Sequence, residues 1–253
     1  LNAFMNRKKI VIVGATSAIA EHCARLWVAE SPVDLVLVGR DLVKMDLVAS
    51  DIRVRSPMAT VKCLQADFID PAKIQALVDE IVKDGVINIA LIAHGSLPDQ
   101  QQSQENLHLC HDALTVNGVS PVLFAEAFSG HMQIANTGTL AIIGSVAGDR
   151  GRKSNYVYGA AKGMVTRYAQ GLQHRLAKTG VKVVLIKPGP TDTPMTAHLK
   201  QQGARLANVE DVSRRIVKAI KQEKSVAYVP AKWALIMMVI RHLPSFVFNR
   251  TNI

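Results

Sequence analysis

Short apolar runs alternate with longer stretches of helical periodicity from Ile10 to Val229. Strands buried on both faces read as continuous apolar runs, and such runs are predicted near residues 9–13, 34–38, 61–65, 87–93, 138–143, 181–187 and 226–229. Helices are predicted over about 18–30, 41–55, 71–83, 105–132, 156–178 and 209–221, with a further one at 231–242. Strand–helix alternation of this kind predicts an α/β fold: a doubly wound parallel sheet with helices on both faces. A length of 253 residues suits one such domain with a sizeable core. We expect it over residues 5–230, with a polar, weakly periodic lid at 190–208 and a separate apolar and basic tail at 231–253.

Composition narrows this picture only a little. The formal charge of +10 suits an anionic partner such as phosphate or a lipid surface. Basic residues are scattered without the aromatic interleaving of a nucleic-acid platform, so no nucleic-acid partner is expected. Cys23, Cys63 and Cys110 are too widely spaced for a metal set and read as reduced thiols, and no metal is expected. No apolar run reaches the roughly 18–20 residues of a membrane span. The segment before Lys9 lacks a signal-peptide core, Met5 is a candidate start, and a cytoplasmic protein is expected.

Chemistry concentrates between Gly144 and Lys162, where the chain reads GSVAGDRGRKSNYVYGAAK. Tyr158 and Lys162 are four residues apart, so on a helix the phenol and the ammonium share a face. An ordinary tyrosine, with a pKa of about 10, is a poor acid or base near neutrality; a neighbouring cation stabilises the phenolate and should lower that value. Ser145 follows the apolar run Thr139 to Ile143 and so stands at the C-terminal end of a strand, where open α/β sheets bind ligands.

Further marks follow in a fixed order: a glycine turn after the first strand (Val13 to Ala20), Asp67 after the third, Asn117 in Thr115-Val-Asn-Gly118, and Lys187-Pro-Gly-Pro-Thr-Asp-Thr193. With Ser145 and Tyr-x-x-x-Lys between them, the chain resembles the short-chain dehydrogenase/reductase family over nearly its whole length. The resemblance implies a Rossmann-like domain and hydride transfer between a nicotinamide and a carbonyl or alcohol carbon. It also implies a catalytic set of Asn117, Ser145, Tyr158 and Lys162. In that set Ser145 would bond the carbonyl oxygen and Tyr158 would supply the proton. Lys162 would hold the nicotinamide ribose, and Asn117 a water linking Lys162 to solvent. The cofactor site it implies comprises Gly14, Thr16, Ser17, Ala18, Ile19, Arg40, Asp67, Phe68, Ala93, Gly95, Tyr158, Lys162, Pro188, Gly189, Thr191 and Thr193.

Three departures sharpen the expectations. Ala18 and Ala20 replace the family's second and third glycines, which narrows the approach of a pyrophosphate and crowds helix–strand packing. Ile92-Ala-His-Gly95 replaces Asn-Asn-Ala-Gly, and His94 reads as structural or cofactor-packing rather than catalytic. The second strand ends in Gly39-Arg40-Asp41 with no carboxylate at its tip, and a guanidinium there matches a 2′-phosphate. NADP(H) is therefore favoured over NAD(H), although Asp41 could reach a ribose. Asp70, ahead of Pro71, reads as a helix cap.

The phosphate turn, the missing asparagines and the tail sequence Arg241-His-Leu-Pro244 resemble the reductases of polyprenyl-phosphate arabinose formation. Those enzymes reduce a 2-keto-pentose on a lipid phosphate, completing an epimerisation begun by a partner oxidase. The alternatives are reduction of a fatty or ketoacyl carbonyl, and a catalytically silent dinucleotide-binding module. A homo-oligomer is expected. The tail is either a core or dimer helix, or a membrane-surface element with Trp233, Phe246 and Phe248 entering the head-group region.

Overall fold

The computed structural model describes residues 7–251; the reading of Met5 as a start lies outside them. The order of elements is β1 (Lys8–Val13), α1 (Ala18–Glu30), β2 (Val33–Gly39), α2 (Leu42–Arg55), β3 (Thr60–Gln65), α3 (Pro71–Lys83) and β4 (Ile89–Ile92). Then come α4 (Gln100–Glu105), α5 (Leu107–Leu114), a π-helical turn (Thr115–Val119), α6 (Ser120–Ala135), β5 (Gly138–Ile143) and a 3-10 turn (Val146–Asp149). The remainder is α7 (Tyr156–Leu176), β6 (Val181–Pro188), a 3-10 turn (Pro194–Thr196), α8 (Ala197–Gln201), α9 (Val209–Lys221), β7 (Val226–Val229), α10 (Lys232–His242) and α11 (Ser245–Phe248).

Seven strands form one parallel sheet in the order β3-β2-β1-β4-β5-β6-β7. Its central strands read as unbroken apolar runs because both faces are covered. Odd and even residues of β1 go to opposite cores: Ile10 and Ile12 join residues of α1, α2 and α9, while Val11 and Val13 join residues of α3, α6 and α7. All four are completely buried, and at about 1.5–3 kcal/mol per large apolar side chain they anchor the sheet's centre. The strand order reverses between β1 and β4, so a crevice opens beyond Val13 and Ile92.

The helix expected over 105–132 is four pieces. The Asn106 carboxamide accepts from His108 N at 2.9 Å, which starts α5 afresh. Further on, Pro121 has no N–H to give the Asn117 carbonyl, and the ladder widens into the π turn that contains Asn117 and Gly118. Local conflict between asparagine, glycine and helix propensity thus shows itself as a change of helix type.

The tail is packed rather than free. Met237 and Ile240 of α10 bury against Val146 beside the end of β5, with Trp233, Tyr228 and Phe248 around them. Arg150 donates to the carbonyls of Ile240 and Leu243, each at 2.6 Å, and its guanidinium lies 3.8 Å from the centroid of the Phe248 ring. Of the three aromatics expected to enter a head-group layer, only Phe246 is largely exposed. Trp233 is instead seated where a β-carbon on Gly189 would lie 1.9 Å from its Nε1. Among the described residues no helix is long and apolar enough to cross a membrane.

Candidate active site

A cleft of about 610 Å³ occupies the crevice at the strand-order reversal. Gly14 makes its floor possible. With φ at +83° it sits in the left-handed region, and a β-carbon there would lie 2.6 Å from the backbone nitrogen of His94. Ser17 caps α1 with no side-chain hydrogen bond, so the first N–H groups of that helix are presented to the cleft beside Thr16, Ala18 and Ile19. Ala20 is fully buried in the core, so the extra methyl that was expected to press on helix–strand packing is absorbed there.

Arg40, Phe68, Gly95 and Thr193 also line this cleft. Arg40 is exposed, with its guanidinium 5.9 Å from the Phe68 ring centroid. Asp41, the residue that could have reached a ribose, is committed to capping α2: its carboxylate accepts from Lys44 N at 3.1 Å, which holds its pKa below the ordinary value. Asp67 turns away as well. Its carboxylate accepts from Ile69 N at 2.9 Å and Asp70 N at 3.2 Å and meets Lys73 Nζ at 3.1 Å. Asp70 is the cap of α3, accepting from Ala72 N and Lys73 N.

Pro188, Gly189, Thr191 and Ala93 do not line the cleft walls. Gly189 faces Trp233, and the buried Thr191 hydroxyl donates to the Gly189 carbonyl at 2.9 Å. Ala93 N donates to the Val13 carbonyl at 2.8 Å, extending the sheet by one rung.

His94, read from the sequence as structural or cofactor-packing, is enclosed. It is 7% exposed, packed 4.5 Å from Phe68 and 5.5 Å from Phe124 between ring centroids. Its Nε2 lies 2.8 Å from Ser120 Oγ, while Nδ1 has no partner. Burial, with Lys162 and Arg40 adding repulsion, pulls its pKa down to about 3, so the ring is neutral throughout the physiological range. A neutral imidazole on a cleft wall is a hydrogen-bonding group, not a charge.

Beyond Gly95 the four central residues converge. A β-carbon on Gly95 would lie 2.8 Å from Asn117 Oδ1 and 3.7 Å from Lys162 Nζ, so this glycine lets the carboxamide and the ammonium approach each other. Asn117 is completely buried; its Oδ1 accepts from Ser96 N at 2.8 Å and its Nδ2 donates to the Ala113 carbonyl at 2.9 Å. Lys162, 3% exposed, donates to the Ile143 carbonyl at 3.0 Å and lies 5.9 Å from the Tyr158 ring centroid. Ser145 Oγ accepts from Ala147 N at 3.1 Å, which fixes its rotamer at the mouth of β5.

One electrostatic expectation is overturned here. Lys162 was expected to lower the Tyr158 pKa, yet burial raises the phenol, and only hydrogen bonding with Ser145 opposes it. The reason is that Lys162 is itself desolvated, its pKa pulled down to about 8, and donates a hydrogen bond to the Ile143 carbonyl rather than to the phenol oxygen. At neutral pH the phenol is protonated, the form that can donate.

A buried set behind the site went unread in the sequence. The Lys187 ammonium pairs with the Asp149 carboxylate, both side chains being almost wholly enclosed, and Tyr228 Oη donates to the other carboxylate oxygen at 2.7 Å. This ties β6 and β7 to the turn that carries Ser145. A lysine inside the apolar run Val183-Val-Leu-Ile-Lys187 was the available signal, because a buried lysine requires a partner. Among the described residues no group of His, Cys, Asp or Glu is arranged to hold a metal ion.

Comparison with known proteins agrees with this geometry. The model of the short chain dehydrogenase family matches residues 8–204. An uncharacterised oxidoreductase of Mycobacterium tuberculosis is 30% identical over 95% of this chain and 96% of its own length. One from Streptomyces coelicolor is 26% identical over 96% and 95%. Among solved structures, a short-chain dehydrogenase from Sphingobium yanoikuyae in complex with NADPH has a TM-score of 0.79 at 24% identity, covering 94% of this chain and 97% of that one. Levodione reductase has a TM-score of 0.81 at 19% identity, covering 90% and 98%. A family model that spans most of the sheet, joined to full-length relatives, settles the class: the chain belongs to the short-chain dehydrogenase family and is an oxidoreductase acting between CH–OH and C=O groups.

Proposed function

We propose that this protein is an NADPH-dependent reductase whose substrate is a 2-keto-pentose carried on a polyprenyl phosphate. The observation that carries the chemistry is the convergence of Ser145, Tyr158, Lys162 and Asn117 beside Gly95 at the end of the cleft. When bound, the nicotinamide supplies the hydride. The residues present fit such a cofactor: Gly14 lets the turn pack directly on the backbone of His94 at the floor of the cleft, and the N–H groups at the start of α1 suit a pyrophosphate. Arg40 suits a 2′-phosphate, and Asp41, which lines the same cleft, spends one carboxylate oxygen on capping α2. The NADPH complexes of the Sphingobium enzyme and of an actinorhodin polyketide ketoreductase point the same way.

Ser145 holds the substrate carbonyl oxygen by a hydrogen bond and polarises it. Tyr158 gives its phenolic proton to that oxygen as negative charge develops there. Lys162 keeps positive charge close to the departing proton and orients the nicotinamide ribose, while Asn117 holds the π turn open toward Lys162 so that protons can return. These roles place the acid and the cation one turn apart on α7 and the polarising donor at the end of β5, two elements that meet only in the folded sheet.

The lipid part of the reading rests on the tail. From Lys224 to Thr251 there is no carboxylate, while Leu235, Met238, Val239 and Phe246 are exposed between Lys232, Arg241 and Arg250. An apolar face rimmed only by cations suits the cytoplasmic surface of an anionic bilayer. Residues 190–208, with their short helical turns, then cover the substrate, and the tail supports the floor behind it. A coupled assay tests the reading. With the keto-pentose generated on its lipid by an alcohol oxidase, NADPH consumption and the epimerised pentose should appear together. Turnover confined to ketoacyl thioesters would replace the substrate, and NADPH binding without turnover on lipid-linked, sugar or acyl carbonyls would leave only a binding module.

A further inference from the structure

A second groove, about 310 Å³, lies outside the cofactor cleft, between the loop that precedes α7 and the end of the tail. It is lined by Arg152, Lys153 and Tyr156 from the one segment and by Phe248, Asn249 and Thr251 from the other. Arg152 is the anomaly in it. Its guanidinium is partly buried, its Nε is shut off from solvent, and no hydrogen bond or ion pair joins it to any described residue. The Asp149 carboxylate, which lies three residues back, is already taken by Lys187 and Tyr228. Burial accordingly pulls the Arg152 pKa below its ordinary value, and Asp149 offsets this only in part.

A guanidinium removed from water without an anion costs free energy, and proteins keep such groups where a ligand supplies the missing charge. Its neighbour Arg150 shows the contrast: its Nη1 donates to the carbonyls of Ile240 and Leu243, and the guanidinium lies against the Phe248 ring, which pins the tail in place. The two arginines share one loop, yet one is a staple and the other is unspent. Chemistry around the groove states what is missing. Its lining holds Arg152 and, among the described residues, no carboxylate side chain, and the exposed, apolar Phe246 and Val247 of α11 immediately precede its Phe248.

We propose that this groove is a phosphate-ester subsite for a long-chain lipid, with Arg152 as the residue that holds the phosphate and α11 as the surface along which the chain leaves. The inference deepens the lipid-phosphate reading above and rests on it for the choice of ligand. Tyr156 and Tyr158 both lie in the first turn of α7, so the subsite and the proton donor are carried on one helix. A planar guanidinium meets two phosphate oxygens at once, which an ammonium cannot do.

Farnesyl phosphate is the probe, measured by calorimetry on the full chain without substrate. Wild type should bind it, and Arg152→Gln should weaken binding by about 10- to 100-fold, the usual loss for a charge-assisted pair, with Arg152→Lys between them. Farnesol and farnesoate should bind at least about tenfold more weakly than the phosphate, since the first lacks charge and the second lacks the third oxygen. Ligand-free Arg152→Gln should melt no lower than wild type, because the charge it removes is unpaired; this separates lost binding from lost folding. Equal binding of farnesyl phosphate by wild type and Arg152→Gln, or equal binding of farnesol by wild type, would overturn the subsite. Binding that depends on Arg152 in a protein that never reduces a lipid-linked ketopentose would keep the subsite and reject the substrate. Vesicles of phosphatidylglycerol distinguish the source: if they compete with farnesyl phosphate in wild type, the groove takes membrane head groups as well as a substrate's phosphate.

Discussion

The Lys162 ammonium lies 5.9 Å from the centroid of the Tyr158 ring and donates at 3.0 Å to the Ile143 carbonyl, at the end of the strand that leads to Ser145. One buried cation therefore joins the strand that carries the polarising hydroxyl to the helix that carries the acid. Burial pulls its pKa down to about 8 from the ordinary 10.5. The native state thus binds the Lys162 proton less tightly than the unfolded chain does.

The sign of the resulting pH dependence follows. Between about 8 and 10.5 the unfolded chain keeps a proton that the folded chain has released, so Lys162 makes stability rise with pH across that window; below about 8 its penalty is constant. Lys162→Met should remove the penalty, stabilising the protein at neutral pH by up to about 3 kcal/mol while abolishing turnover. Denaturant unfolding at pH 7 and pH 10 checks this: the gain from the substitution should shrink at the higher pH. An equal or larger gain there would contradict the assignment.

Arg40→Ala should raise the Kd for NADPH by about tenfold or more and leave NADH nearly unchanged, since the guanidinium is proposed to meet only the 2′-phosphate. Titration of cofactor fluorescence separates the two. Equal weakening of both cofactors would assign Arg40 to the adenine face, beside Phe68.

Gly14→Ala should cost about 2 kcal/mol or more, because it combines a left-handed φ of +83° with a β-carbon 2.6 Å from His94 N. Cofactor affinity should fall with it. His94→Ala, by contrast, should alter cofactor affinity by the same factor at pH 6 and pH 8, since the ring is neutral at both. A pH-dependent difference would mean that His94 titrates.

Phe246→Glu places a charge on the largely exposed aromatic of the tail. Cosedimentation with anionic vesicles should fall by about tenfold or more, with thermal stability unchanged, because burying the apolar ring in the head-group region is lost. Removing the tail from Trp233 onward would be a poorer test. It would also strip Met237 and Ile240 from Val146 and unseat Arg150, so that lost folding and lost membrane contact could not be told apart.

Much of the fold was legible because both faces of the sheet are covered. β5 and β7 begin and end where their apolar runs do, and Asp70-Pro71 marks the start of α3. The long central helix was not legible as four pieces, because periodicity counts apolar positions and is blind to a carboxamide that restarts the ladder at Asn106 or to the donor missing at Pro121. In the site, residue types and spacing placed Tyr158 and Lys162 on one helix but could not say where the ammonium would point, and it points to Ile143. Trp233 stayed open between a packed and an interfacial aromatic because nothing in its own segment shows that Gly189, far back in the chain, leaves it a seat.

The central claim, that Tyr158 is the proton donor in a reduction, is tested most directly by single-turnover NADPH oxidation in Tyr158→Phe with a ketone substrate. The ring is kept and only the hydroxyl is lost, so NADPH should bind with nearly unchanged Kd while the rate falls by about 10²–10⁴-fold, the usual worth of a general acid. A variant that retained more than about a tenth of the wild-type rate would place the proton donor elsewhere.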